Sequence, residues 1–151
     1  MDIHTTKIYR PSTKSMLLKM SLAIVVIAAI GYVLPYDSMQ GLVVIPAFAL
    51  LFCLVKMLTE GTEVIAIAST KVEVGKFYGK QHILINSIQY IRSYSHFGLK
   101  YIVIETDKDT FKMGGFLSVH QKKALVSNIM EHLRVDFPEH FAFVRHKVDR
   151  F

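Results

Sequence analysis

The sequence predicts an α+β protein: an N-terminal transmembrane helical hairpin over residues 16–58, followed by a small antiparallel β-sheet or partly open barrel. One amphipathic helix caps the sheet and a short amphipathic tail ends the chain. Three observations predict this. No charged residue occurs over 20–36 or over 38–55, and Asp37 alone separates the runs. Beyond residue 63, polar and apolar residues alternate with the period of two that a half-buried strand produces. After Gly114-Gly115 the apolar period lengthens to that of a helix.

The chain has 151 residues, 52% of them hydrophobic, and a formal charge of +6. That length allows one small domain beside the hairpin. Residues 1–15 form a basic tail. Lys7, Arg10 and Lys14, with Lys19 just beyond, face only Asp2, whereas the turn over 35–40 has no Lys or Arg. The positive-inside rule then places both termini in the cytoplasm of a multi-pass inner-membrane protein. A signal peptide is the less favoured reading, because a second apolar run follows closely and no small-x-small cleavage site precedes it. Each span, about 18 residues or ~27 Å of helix, comes near the ~30 Å of a bilayer core. Lys19 and Lys56 stand where long side chains snorkel to headgroups. Lys7, Arg10, Lys14, Lys19 and Lys56 are thus the candidate lipid contacts. Tyr32 and Tyr36 fall at the expected interface, Pro46 predicts a kink, and Gly31 and Gly41 permit close helix approach. Neither span carries an acid or a histidine, which argues against transport by this chain. The single cysteine, Cys53, excludes an intrachain disulfide and reads as a small apolar residue.

The β-domain occupies 59–136. Residues 59–62 are a link, and strands follow over 64–70 and 71–74. A turn at Gly79-Lys80-Gln81 leads to a strand from His82. Asn86-Ser87 interrupts the alternation as a bulge or one helical turn before Ile88 and Ile91. His96-Phe97-Gly98 is a turn, and residues 99–105 (LKYIVIE) form the strongest strand. Asp107-Lys108-Asp109 turns into the strand 110–113. Ser118 with Gln121 has the form of a capping box, and Leu125, Ile129 and Leu133 continue a helical stripe until Pro138. In the tail, 137–151, the stripe Phe137, Phe141, Val144, Val148, Phe151 reads as a short basic helix carrying Arg145, His146, Lys147 and Arg150. Docking on the domain or a second subunit is favoured over the membrane interface.

The spacings that chemistry requires are missing: there is no H-E-x-x-H, C-x-x-C, G-x-S-x-G, Walker-type phosphate loop or G-x-G-x-x-G. The histidines do not recur at i, i+4 within a helix, and Glu105, Asp107 and Asp109 read as solvated turn acids. Gly114-Gly115 before a helix could hold a phosphate, but a loose turn is the default reading. No catalytic residue, metal ligand, cofactor or small-molecule substrate is expected. The stretch 90–101 interleaves aromatics and bases as single-strand nucleic-acid platforms do. Exposed strand faces that contact protein explain it better. The candidate partner contacts are Tyr90, Arg92, Tyr94, Phe97, Tyr101, Phe141, Arg145, Lys147 and Arg150.

Val72-Glu73-Val74 leading to Gly79, Ile83-Leu84-Ile85-Asn86-Ser87-Ile88, the strand 99–105 and the capped helix 118–133 together follow a hairpin. In this arrangement the chain resembles small bacterial two-span membrane proteins with a pleckstrin-homology-like domain, an uncharacterised family related to a Salmonella open reading frame. Asn86, where an aromatic is common, and the tail after Pro138 depart from that pattern. The resemblance implies a partly open barrel with a C-terminal helix and contacts with lipid, peptide or protein in place of a reaction. The expected function is binding of a protein partner at the inner membrane, as an accessory or assembly subunit. Immunity against a membrane-acting toxin, and a lipid-binding or self-assembling scaffold, are the alternatives.

Overall fold

The computed structural model describes residues 6–33, 39–96 and 98–147; within these, no side chain is described at 15 or at 30–33 and 39–45. The α+β class stands. Among the described residues eight strands form two four-stranded sheets, ordered β1-β2-β3-β4 and β7-β6-β5-β8. The first comprises β1 (Lys7–Tyr9), β2 (Val64–Ile67), β3 (Lys71–Lys76) and β4 (Gly79–Leu84). The second comprises β5 (Ile88–His96), β6 (Leu99–Thr106), β7 (Thr110–Met113) and β8 (Arg145–Lys147). One 3₁₀ turn, Ile85–Ser87, passes the chain between the sheets, at the break in alternation that Asn86-Ser87 marks.

The sequence explains the core. Val72 and Val74 on β3 alternate with Lys71 and Glu73, and the two valines are fully buried. Ile65 and Ile67 do the same on β2. On β6, Tyr101, Ile102, Val103 and Ile104 are all buried, so both faces of this strand are covered. The helix α3 (Val119–Asp136) adds Leu125, Ile129 and Leu133 to the same cluster. Its capping box is formed: the Gln121 N–H donates to Ser118 Oγ at 3.2 Å, and the Ser118 N–H donates to Gln121 Oε1 at 3.0 Å. Ser118→Ala is expected to cost about 1 kcal/mol. The check is a lowered urea midpoint at unchanged m-value; an unmoved midpoint would mean the cap adds nothing to stability.

The helical hairpin needs correction. Among the described residues no helix is long and apolar enough to cross a membrane. The transmembrane hairpin, the multi-pass topology and the inner-membrane localisation are therefore overturned. The helices α1 (Thr13–Val33) and α2 (Met39–Glu60) do form. The uncharged part of α1 among the described residues, 20–33, is about 14 residues or ~21 Å, short of the ~30 Å of a bilayer core. The lysines expected at headgroups are instead directed to the protein: Lys19 donates to backbone carbonyls of the β-domain and Lys56 pairs with Glu60. The turn 34–38, with Tyr36 and Asp37, lies outside the described residues, as do the side chains of Gly31, Tyr32 and Gly41. α2 continues through Pro46.

Three local expectations also change. The turn expected at Gly79-Lys80-Gln81 falls two residues earlier, at Phe77-Tyr78, because Lys76 pairs with Gly79 and closes a two-residue hairpin there. The basic N-tail contributes a strand: Lys7–Tyr9 pairs antiparallel with β2, and Tyr9 joins the core. The hairpin is thus inserted between two neighbouring strands of one sheet. Among its described residues the tail is not a helix beyond the single turn α4 (Pro138–Phe141), and Val148, Arg150 and Phe151 of the expected helix lie outside them. Its residues 145–147 pair parallel with β5, covering an edge that would otherwise leave backbone groups open.

Candidate functional site

The richest cluster of ionisable side chains lies where the hairpin meets the β-domain. Insertion between β1 and β2 brings the start of α1 and the end of α2 together. They are so close that a Cβ on Gly61 would collide with Met16 Sδ. The loop Gly114-Gly115-Phe116-Leu117, between β7 and α3, packs beneath them. Gly114 has φ +74°, a left-handed conformation that glycine adopts without strain.

Glu63, immediately before β2, is 3% exposed. Its Oε2 accepts from the Gly114 N–H at 2.5 Å, and its Oε1 lies 3.8 Å from Lys76 Nζ. Burial pushes its carboxyl up to about 7, although the Gly114 N–H and Lys76 pull the other way. This settles the glycine pair: the N–H of Gly114 is occupied by the protein's own carboxylate, and the N-terminus of α3 is closed by its capping box.

Four more lysines surround the loop. Lys122 is 2% exposed; its Nζ donates to Gly115 O at 3.3 Å, and burial brings it down to about 8. Lys19 donates to the same carbonyl at 3.2 Å and to Leu117 O at 3.4 Å, and burial lowers it too. Lys56 pairs with Glu60 one helical turn on. Lys112 stands over the Tyr101 ring, 3.9 Å from its centroid, and 5.1 Å from that of Tyr94. The Tyr101 hydroxyl donates to Glu60 Oε2 at 2.6 Å, and burial together with this carboxylate raises its pKa. Lys76 donates to Lys112 O at 3.2 Å. Beside the cluster opens a cavity of about 470 Å³, walled by both helices, by Leu99 and Tyr101 of β6 and by Phe116.

The residues expected at a lipid surface are dispersed. Lys7 donates to Asn128 Oδ1 of α3 at 2.8 Å, and the Arg10 carbonyl accepts from Gln121 Nε2. Lys14 is exposed on the first turn of α1. Lys19 and Lys56 belong to the junction. Of the expected partner contacts, Tyr90, Arg145 and Lys147 come together through the β5–β8 pairing, in a cleft of about 790 Å³ shared with His140, Phe143 and His146. Arg92 pairs with Glu105 at 2.8 Å, a half-exposed contact worth little. Tyr94 is exposed and stacks on His96. Tyr101 is corrected: at 3% exposed it binds within the chain and offers no outer surface. Phe141 packs against the core from α4. Phe97 and Arg150 lie outside the described residues.

Sequence reasoning passed over Glu63, Lys76, Lys112 and Lys122. Each sits at an ordinary polar position of its strand or helix, and only the meeting of β3, β7, α3 and the hairpin joins them. No group of three or more His, Cys, Asp or Glu able to hold a metal ion occurs among the described residues. No family model and no curated protein matches the chain.

Proposed function

We propose that the protein is a non-enzymatic binding protein that holds a protein partner against its helical hairpin. The observation that carries this reading is the exposed apolar face of α1 and α2. Leu18 is 71% exposed and Phe48 69%. Leu18, Leu22 and Val25 recur on one side of α1, and Phe48, Leu51 and Val55 on one side of α2. A chain acting alone rarely leaves a contiguous apolar surface of more than a few hundred Å² uncovered. The resemblance in sequence pattern to pleckstrin-homology-like domains accords with a contact role. The Tyr90, Arg145, Lys147 cleft supplies a second, basic surface on the domain.

The test is purification of the full-length chain from its native source, compared with a Leu18→Glu/Val25→Glu variant. A second chain is expected to co-purify at fixed stoichiometry with the wild type and to be lost with the variant. Equal recovery of that chain with the variant would overturn the reading, as would a wild-type chain that purifies with no companion.

A further inference from the structure

The cavity beside the junction has a chemical polarity. On α1, Lys19, Ala23, Val26 and Ile27 line it, at spacings that return to one helix face. Lys56, Cys53 and Phe52 line it from α2, running the opposite way. Both lysines therefore stand at the end nearest the β-domain, and both apolar runs lead away from it toward the hairpin turn. The wall from Lys19 to Ile27 spans ~12 Å of helix. The Tyr101 ring and Leu99 close the cationic end.

The charge there is unbalanced. Among the described residues Lys19, Lys56, Lys76, Lys112 and Lys122 gather around the loop, and the acids that meet them are Glu60 and Glu63. Of these acids, Glu63 is half-protonated near neutrality. Lys19 and Lys122 share one carbonyl, so each raises the cost of charging the other. A partly buried cluster with excess positive charge gains from an anion that sits against it. The volume, about 470 Å³, falls in the range of small-molecule sites.

We infer that this cavity binds a single-chain anionic amphiphile, with its hydrocarbon tail between α1 and α2 and its carboxylate or phosphate head against Lys19 and Lys56. The cavity shares Leu22 with the outer hairpin face, but Leu18 and Val25 do not line it and its test leaves both untouched, so either reading can fail without the other.

The experiment titrates the full-length chain by calorimetry, below the micellar concentration, with oleate and with dodecyl phosphate. Oleyl alcohol and dodecyltrimethylammonium are the controls. Saturable one-to-one binding is expected for the anions, each at least tenfold tighter than its control of the same chain length. Dodecanoate and dodecyl phosphate, equal in chain length, then identify the head as carboxylate or phosphate by the tighter binding. Ala23→Trp fills the apolar end and should weaken anion binding at least tenfold with the circular-dichroism spectrum unchanged. Lys19→Gln keeps a donor for the loop carbonyls while removing the charge; it should erase the preference for oleate over oleyl alcohol, a readout that stands even if Ala23→Trp fails to fold. Binding of the controls as tightly as the anions, absence of saturable binding, or a preference that survives Lys19→Gln would overturn the proposal.

Discussion

Glu63→Gln is expected to remove a fall in stability that the wild-type chain undergoes between about pH 4.5 and 7. The folded protein holds the Glu63 proton up to about 7, whereas an ordinary glutamate releases it near 4.5. Between these values the unfolded chain binds fewer protons, so stability declines as pH rises. The contribution is complete below 4.5 and gone above 7. Its size is on the order of 3 kcal/mol, because each tenfold change in proton affinity is worth ~1.4 kcal/mol. A Gln side chain keeps an oxygen to accept from the Gly114 N–H and has no charge to bury. Urea midpoints at pH 4.5, 6, 7 and 8 test this: the variant's curve should be flat where the wild type falls. Parallel curves would show that Glu63 does not carry the slope. Lys122 acts in the opposite sense and in another window. Its folded value of about 8 lies below the ordinary 10.5, so its contribution is present above 10.5 and is lost as pH falls through 8. The two groups together place a stability minimum near pH 7–8, where both burial costs stand.

What could be read in the sequence followed from how locally each element is determined. The strand 99–105 is legible because four consecutive large apolar residues need burial on both faces, which β6 provides. The start of α3 is legible because a capping box is a contact between residues three apart. β1 was illegible: Lys7-Ile8-Tyr9 is too short to show a period, and its partner Ile65–Ile67 follows the entire hairpin. The tail misled for a related reason. Phe137, Phe141 and Val144 recur at helical spacing because the first caps and the second ends the turn α4 and the third returns to the core, not because one helix runs through all of them. The hairpin misled through its lysines. In sequence, Lys19 and Lys56 bracket apolar runs as membrane flanks do; in the fold, their ammonium groups meet carbonyls and a carboxylate of the same chain. The junction could not be read at all, since Glu63 and Gly114 are 51 positions apart and nothing local pairs them.

The loop that receives these lysines leaves Gly115 no room for a side chain. A Cβ there would lie 2.5 Å from Tyr101 Cε1 and 3.0 Å from its Cζ. The ring cannot turn aside cheaply, because its hydroxyl is bonded to Glu60, Lys112 covers it, and the residue is buried. Gly115→Ala is therefore expected to cost about 1–3 kcal/mol, the range for overpacking a closed site. It should also separate the Tyr101 hydroxyl from Glu60, loosening the hairpin from the β-domain at this end. For a chain of this size such a cost lowers Tm by roughly 2–4 °C per kcal/mol. A double-mutant cycle isolates the cause. In a Tyr101→Ala background the added methyl group has space, so Gly115→Ala should cost little there, and the two substitutions should be strongly non-additive. An undiminished cost in that background would place the strain in the backbone of the loop and remove Tyr101 as the element that fixes the hairpin's seat. Non-additivity would identify one ring, held between an acid of α2 and a lysine of β7, as the contact through which the loop senses the hairpin.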